Sequence, residues 1–250
     1  MSRKRADQLL VERGLCESRA RAQALILAGL AFTGDRRIAK AGDQLPEDAP
    51  IELRGQDYPW VSRGGVKLQA ALDHFAIDPT GWTCLDIGAS TGGFTDVLLA
   101  RGAARVYAVD VGHGQLAWKL RNDARVVVLE RTNARHLTRA EVPAPVDLVT
   151  CDASFIGLET VLPAPLALAA PRAVLVALIK PQFEVGKGNV GKGGVVRDPA
   201  LRQAACDRIV AWIDALPEWR ARGVVPSPIT GPEGNVEFLL AADKAADQKE

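Results

Sequence analysis

From residue 82 onward, short apolar runs alternate with stretches whose apolar positions recur every third or fourth residue. The runs predict strands at Thr83–Ile87, Arg105–Asp110, Arg125–Leu129, Val146–Cys151, Val174–Lys180, Gly223–Val225 and Val236–Ala241. The stretches between them predict helices at Phe94–Ala100, Gln115–Arg121, Leu158–Ala169 and Pro199–Leu216. Strands and helices in alternation, joined by short turns, predict a parallel-rich sheet covered on both faces. A further helix is expected from Ser62-Arg63-Gly64-Gly65 to about Phe75. The first 55 residues have a different rhythm. Ala6, Leu9, Leu10 and Arg13 share one helical period, and Gly14 stops it. Ser18 is a good N-cap for a helix from Arg19 to Ala28, closed by Gly29. Strand-like pieces follow at Leu30–Thr33, Arg36–Ile38 and Ile51–Leu53, around Gly34-Asp35 and Ala41-Gly42-Asp43 turns. The expected organisation is therefore a small α+β domain (1–55), a linker (56–63) around the extended Tyr58-Pro59, and an α/β domain (64–242). A frayed tail (243–250) closes the chain.

Composition narrows the function classes. The 250-residue chain carries a net charge of +1 and 24% charged residues, ordinary for a globular protein. A nucleic-acid partner must therefore be recognised by a local patch. Residues 1–40 supply one, with nine Lys/Arg against four Asp/Glu. Arg3, Lys4, Arg5, Arg19, Arg21 and Lys40 are its candidate phosphate contacts, and a solvated helix face is the plain alternative. Cys16, Cys84, Cys151 and Cys206 lack metal-ligand spacing, so no metal site and a reducing compartment are expected. No apolar segment follows the basic Met1–Arg5, and the longest apolar run, Leu166–Ile179, is broken by Pro171 and Arg172. A spanning helix needs about 20 apolar residues. A cytoplasmic protein with no membrane partner is expected.

Chemistry concentrates where strands end. Leu85-Asp-Ile-Gly-Ala-Ser-Thr-Gly-Gly-Phe94 joins the first strand of the α/β domain to its helix. In doubly wound sheets this turn opens onto the ligand crevice, and its glycines let a ligand approach the backbone. A dinucleotide site would read G-x-G-x-x-G. Here Ser90 replaces the middle glycine and Asp86 precedes the turn. An acid repels a pyrophosphate but suits a cationic sulfonium with a free amino group, which favours S-adenosylmethionine. Asp110, about 20 residues on, suits ribose hydroxyls. Asp86, Gly88, Ser90, Gly92, Gly93, Phe94, Asp110 and Val111 form the expected cofactor-binding set. Gly186–Lys192 matches G-x-x-x-x-G-K, but Gly193 stands where a magnesium-binding hydroxyl belongs. A basic lid over substrate is the better reading of that loop.

Methyl transfer to an oxygen needs that oxygen deprotonated or held in line. A lysine serves as base only when neutral, a form that burial and neighbouring positive charge favour. Lys180 ends the apolar strand Val174–Ile179 and is the best candidate base. Asp152 ends the fourth strand and should face the same crevice. Glu237 is expected in the last strand, and Lys67 on the helix before the first. Each also has a structural reading, as a cap, an ion-pair partner or a surface residue.

Two resemblances bear on these residues. Arg5-Ala-Asp-Gln-Leu-Leu10, Gly14-Leu15, Ser18-Arg-Ala-Arg-Ala22, Ala28-Gly29 and Lys40-Ala-Gly-Asp43 resemble the S-four RNA-binding domain. Trp60-Val-Ser-Arg-Gly-Gly-Val-Lys67, the glycine turn, Val109-Asp110-Val-Gly-His-Gly-Gln-Leu116, Cys151-Asp-Ala-Ser-Phe155, Ile179-Lys-Pro-Gln-Phe-Glu184 and Gly234-Asn-Val-Glu237-Phe resemble the TlyA family. That family pairs an S-four domain with an FtsJ-like methyltransferase domain. The resemblance implies a doubly wound, Rossmann-like α/β fold dependent on S-adenosylmethionine, and 2'-O-methylation of cytidine in rRNA or ribosomal subunits. It also implies a catalytic Lys-Asp-Lys-Glu tetrad at Lys67, Asp152, Lys180 and Glu237. The family's Arg-x-Trp-Val linker has Tyr58 at its first position here. Three other functions compete with this reading. A base methyltransferase would carry an Asn/Asp-Pro-Pro-Tyr/Phe element, where this chain reads Asp152-Ala-Ser-Phe155. A cytolysin, as the family's haemolysin label suggests, and a non-catalytic RNA binder are the others.

Overall fold

A computed structural model describes residues 3–16, 18–27, 29–53, 58–231 and 234–245. They form two compact units, Met1–Pro59 and Trp60–Glu250. In the first, helices α1 (Ala6–Glu12) and α2 (Arg19–Leu27) share a core of Leu9, Leu10, Ala22 and Ile26 with Ala31, Ile38 and Leu45. Gly14, at φ +68°, ends α1 with Leu15 N–H returning to the Leu10 carbonyl, a left-handed turn that favours glycine. Strand β1 (Arg3–Arg5) pairs antiparallel with β4 (Gln44–Pro46). Strands β2 (Ala31–Thr33), β3 (Arg36–Arg37) and β5 (Ile51–Leu53) form a second antiparallel sheet in the order β3-β2-β5. The pair β1–β4 was not expected from the sequence, because Arg3-Lys-Arg5 and Gln44-Leu-Pro46 carry no apolar run.

The second unit is built on seven strands: β6 (Thr83–Ile87), β7 (Arg105–Val109), β8 (Val126–Leu129), β9 (Val146–Cys151), β10 (Ala169–Ile179), β11 (Trp219–Pro226) and β12 (Phe238–Lys244). Their order is β11-β12-β10-β9-β6-β7-β8. Strands β6 to β10 run parallel, and β12 runs antiparallel to both its neighbours. This is the expected doubly wound α/β sheet. Helices α3 (Gly64–His74), α4 (Gly93–Ala100) and α5 (Trp118–Arg121) cover one face. Short helices α6 (Leu158–Val161) and α7 (Pro163–Ala167), and the long α9 (Pro199–Ala215), cover the other. A four-residue helix α8 (Pro181–Glu184) follows β10. Among the described residues, no helix is long and apolar enough to cross a membrane.

Several boundaries differ from the sequence reading for local reasons. The helix expected at 158–169 is two, because Pro163 starts a new one at its N1 position. Strand β10 starts five residues early, with its pairing to β9 interrupted between Ala169 and Val174, around Pro171. The helix expected from Gln115 starts at Trp118, because Ala117 is extended and its N–H is tied to the Thr91 carbonyl. Asp243 and Lys244, read as tail, continue β12 and form ion pairs with Arg222 and Glu218. Gln56 and Asp57 of the expected linker, and residues 246–250 of the expected tail, lie outside the described residues. Trp60 and Val61, read as linker, are hydrogen-bonded within the second unit, to Gln69 and Asp96.

Candidate active site

Alternation along the strands decides which side chains meet. Val174, Val176 and Leu178 pack under α3 and α4, while Leu175, Ala177 and Ile179 pack on the opposite face. Lys180, next in line, returns to the α3 side. The same parity in β9 puts Leu148 under α3–α4 and Val149 and Cys151 on the far face, so Asp152 joins Lys180. Because β12 is antiparallel to β10 with Ile179 opposite Phe238, Glu237 lies across from Lys180 at the same sheet edge. The sequence reading placed Glu237 inside the last strand; it immediately precedes β12. Lys67 arrives from the first turn of α3. That helix comes close because glycine faces glycine. A Cβ on Gly93 would overlap Ser62 Oγ and lie 2.9 Å from Gly65 N, and one on Gly65 would overlap the Trp60 ring.

The four residues form one ionic chain. Glu237 Oε2 is 2.5 Å from Lys67 Nζ, which is 3.9 Å from Asp152 Oδ2. Asp152 Oδ1 is 2.7 Å from Lys180 Nζ. Lys180 Nζ also donates to the Asp152 carbonyl at 3.0 Å and to Ser154 Oγ at 2.9 Å. Lys67, Lys180 and Glu237 are buried, and Asp152 is partly so. Two cations and two anions balance, which makes burial of all four tolerable. All four line a cavity of about 610 Å³ together with Ser62, Phe94, Phe155 and Gln182.

A second cavity, of about 440 Å³, shares Gly88, Ser90, Asp152 and Phe155 with the first and extends to Asp110, Val111 and Asn133. Asp110 organises its mouth. One carboxylate oxygen accepts from Ser90 N–H at 2.8 Å and the other from Gly112 N–H at 2.7 Å. Each oxygen retains a lone pair for a ligand hydroxyl. Gly88, at φ +79°, lies so close to the Asp152–Ala153 backbone that a Cβ would approach it to 3.0 Å.

Four members of the expected cofactor set lie outside the second cavity. Asp86 lines neither cavity. It is fully buried and accepts from the hydroxyls of Thr95 (2.7 Å) and Thr150 (3.1 Å). Parity turns it under α4, and burial pushes its carboxyl up to about 6. Gly92 lines neither cavity; a Cβ there would overlap the Leu116 and Leu120 side chains. Gly93 and Phe94 are buried and line the first cavity, not the second.

Residues 60–244 match the family of FtsJ-like methyltransferases. Over 239 residues the chain is 52% identical to the 16S/23S rRNA (cytidine-2'-O)-methyltransferase TlyA of Mycobacterium tuberculosis, covering 95% of this chain and 89% of that one. The chain belongs to the TlyA family of FtsJ-like methyltransferases. Hemolysin A of Brachyspira hyodysenteriae is 40% identical, covering 94% of this chain and 98% of that one. A solved structure of a hemolysin-like protein from Streptococcus thermophilus superposes with a TM-score of 0.76 at 38% identity, covering 98% of this chain and 90% of that one.

The first unit of this TlyA family member holds the six candidate RNA contacts unequally. Arg5 forks onto Asp7 at 2.9 and 3.0 Å, and Arg19 reaches the same carboxylate at 3.0 Å. Asp7 is fully buried, and these donors, Arg5 foremost, hold its carboxyl well below the usual carboxylate range. Lys4 pairs with Glu12 and Glu47, and Arg3 donates to the Gln44 carbonyl. Arg21 is half-buried and Lys40 exposed. Much of the positive excess is thus committed inside the unit.

The sequence reading missed Ser154, Gln182 and Asn235. Asn235 accepts from Val196 N–H at 3.1 Å and donates to the Gly194 carbonyl at 2.9 Å. It thereby pins the loop whose Gly193 and Gly194 line the first cavity. The motif Gly234-Asn-Val-Glu237 carries the signal for it, an amide two residues before the acid. The G-x-x-x-x-G-K run opens no regular helix; short 3₁₀ turns at Lys187–Asn189 and Lys192–Gly194 occupy it.

Proposed function

We propose that this protein transfers a methyl group from S-adenosylmethionine to the ribose 2'-oxygen of cytidine in ribosomal RNA. The buried chain Glu237–Lys67–Asp152–Lys180, at the rim of a cavity continuous with the glycine turn, is the observation that carries the reading. The 52% identity to an enzyme named for that reaction supports it. Asp110 and the bare Gly88 backbone suit the hydroxyls and close approach of an adenosine-bearing cofactor in the second cavity. S-adenosylmethionine, when bound, supplies an electrophilic methyl on a positively charged sulfur.

In this reading Lys180 does the proton work. In its neutral form, Nζ accepts the 2'-hydroxyl proton, and Asp152 Oδ1 stabilises the resulting ammonium. Ser154 Oγ and the Asp152 carbonyl fix the direction of Nζ. Lys67, anchored by Glu237, holds the other carboxylate oxygen of Asp152. Residues 1–55 act as the RNA-gripping domain, with ribosomal subunits as partner and the cytoplasm as the site of action.

The test is to incubate the protein with tritiated S-adenosylmethionine and isolated ribosomal subunits from cells lacking the activity. Label should map to ribose after nucleoside digestion. Lys180→Ala should reduce it about 100- to 10,000-fold, as for loss of a general base. Label on a base, or full activity in Lys180→Ala, overturns the reading.

A further inference from the structure

The motif Ile179-Lys-Pro-Gln-Phe-Glu184 ends on a carboxylate that lines neither cavity. The Glu184 side chain is only 3% exposed, and both its oxygens are engaged. Oε1 accepts from Leu158 N–H at 2.9 Å, and Oε2 accepts from Arg208 Nη2 at 2.7 Å. Arg208, in α9, also donates to the Glu184 carbonyl at 3.0 Å and pairs with Glu159. Leu158 opens α6, and a helix start leaves its first N–H groups without an internal partner. Gly157 before it offers no side-chain cap, so the acceptor comes from α8 instead. A Cβ on Gly157 would approach Glu184 Oε2 to 3.2 Å, so the glycine leaves the carboxylate its room.

This tie joins two segments that each leave a strand end carrying the chemistry. One runs from Asp152 through Ser154 to Leu158, the other from Lys180 through α8 to Glu184. The paired positions of β9 and β10 end at Cys151 and Ala177. Strand pairing therefore does not set the spacing of Asp152 and Lys180. Beyond the ladder the segments meet through Glu184 and Leu158, and through the Phe155 and Phe183 rings, whose centroids are 5.2 Å apart. Resting on the function proposed above, we infer that Glu184 is a positioning residue for methyl transfer, fastening the two segments so that Ser154 and Asp152 direct the Lys180 amine.

The acceptors that aim the amine, Asp152 Oδ1 and Ser154 Oγ, belong to one segment, and the amine belongs to the other. Asp152 N–H is itself fixed to the Ile87 carbonyl at 2.9 Å. Without Glu184, the displacement falls on Ser154 and on α8, and the amine loses its alignment with the hydroxyl it deprotonates. A misplacement of about 1 Å at a reacting group costs about 100-fold in rate. Asp110 and the glycine turn stand on other strand ends, so cofactor binding is spared.

The test measures kcat and KM for ribosomal subunits and for tritiated S-adenosylmethionine, with rates counted per cofactor-binding site. In Glu184→Ala, kcat should fall about 10- to 100-fold while both KM values stay within about twofold, the mark of an interaction used in the transition state. Glu184→Asp keeps the charge for Arg208 but is one methylene short of Leu158, and should be slowed likewise. Glu184→Gln keeps the reach and an acceptor oxygen, and should lie nearer the wild type than either. A lowered thermal midpoint beside a wild-type kcat gives Glu184 a purely structural role and overturns the inference. So does a raised KM at unchanged kcat, or a Glu184→Gln protein as slow as Glu184→Ala. Should Glu184→Ala fail to fold, Glu184→Asp is judged by the same criteria. With ribose label in the wild type, these outcomes touch the inference alone. Wild-type protein that labels no ribose overturns the proposed function, and the inference with it.

Discussion

Gly231 has no room for a side chain: a Cβ there would overlap the Glu237 carboxylate. Gly231→Ala should push Glu237 off Lys67 and loosen the ionic chain at its far end. We expect methylation to fall at least tenfold while the fold loses about 1–3 kcal/mol, as in other overpacked sites. Full activity beside a normal urea midpoint would show that Glu237 is dispensable. Asp86 gives a pH signature. Its native carboxyl titrates near 6, above the unfolded value of about 3.9. The native state therefore holds the extra proton between pH 4 and 6, and Asp86 makes stability fall as pH rises through that window. Asp86→Asn cannot ionise, so its urea midpoint should lack that decline. A parallel pH dependence in both proteins would mean that other groups set the slope. Both residues look alike in sequence, a glycine in a loop and an acid at a strand end. Only their neighbours separate a spacer from a ligand-binding position.

Asn235 ties the loop from Gly191 to Val196 at two points, through one buried and one partly buried hydrogen bond, and Arg202 donates to the Val196 carbonyl as well. Each such bond contributes about 0.5–1.5 kcal/mol. Asn235→Ala should leave the sheet intact, speed amide exchange at Gly194–Val196, and reduce kcat/KM about tenfold. Unchanged exchange there would remove Asn235 from this role. At this scale the strands of the sheet were legible because buried parallel strands carry unbroken apolar runs. Their ends were less so. The start of β10 and the division between α6 and α7 depend on where Pro163 and Pro171 meet neighbouring elements, which apolar pattern does not record.

For the whole molecule, grip on RNA should rest on cations that the first unit does not spend on itself. Lys40→Ala should lower the slope of log affinity for ribosomal subunits against log salt by about 1, the mark of one phosphate contact. Arg5→Ala should behave differently. It strips the buried Asp7 of its principal donor and should lower the thermal midpoint. A Lys40 variant with an unaltered salt slope would remove that residue from the RNA surface. The sequence by itself determined the doubly wound sheet and the four residue types of the ionic chain, because periodicity and strand-end motifs are local properties. Tertiary structure alone decided which of those residues touch. The antiparallel register of β12 sets Glu237 opposite Lys180, and the glycine contact between α3 and α4 delivers Lys67. Asp86, from an equally suggestive motif, is turned into the core, because strand parity and helix packing are fixed only when distant segments meet.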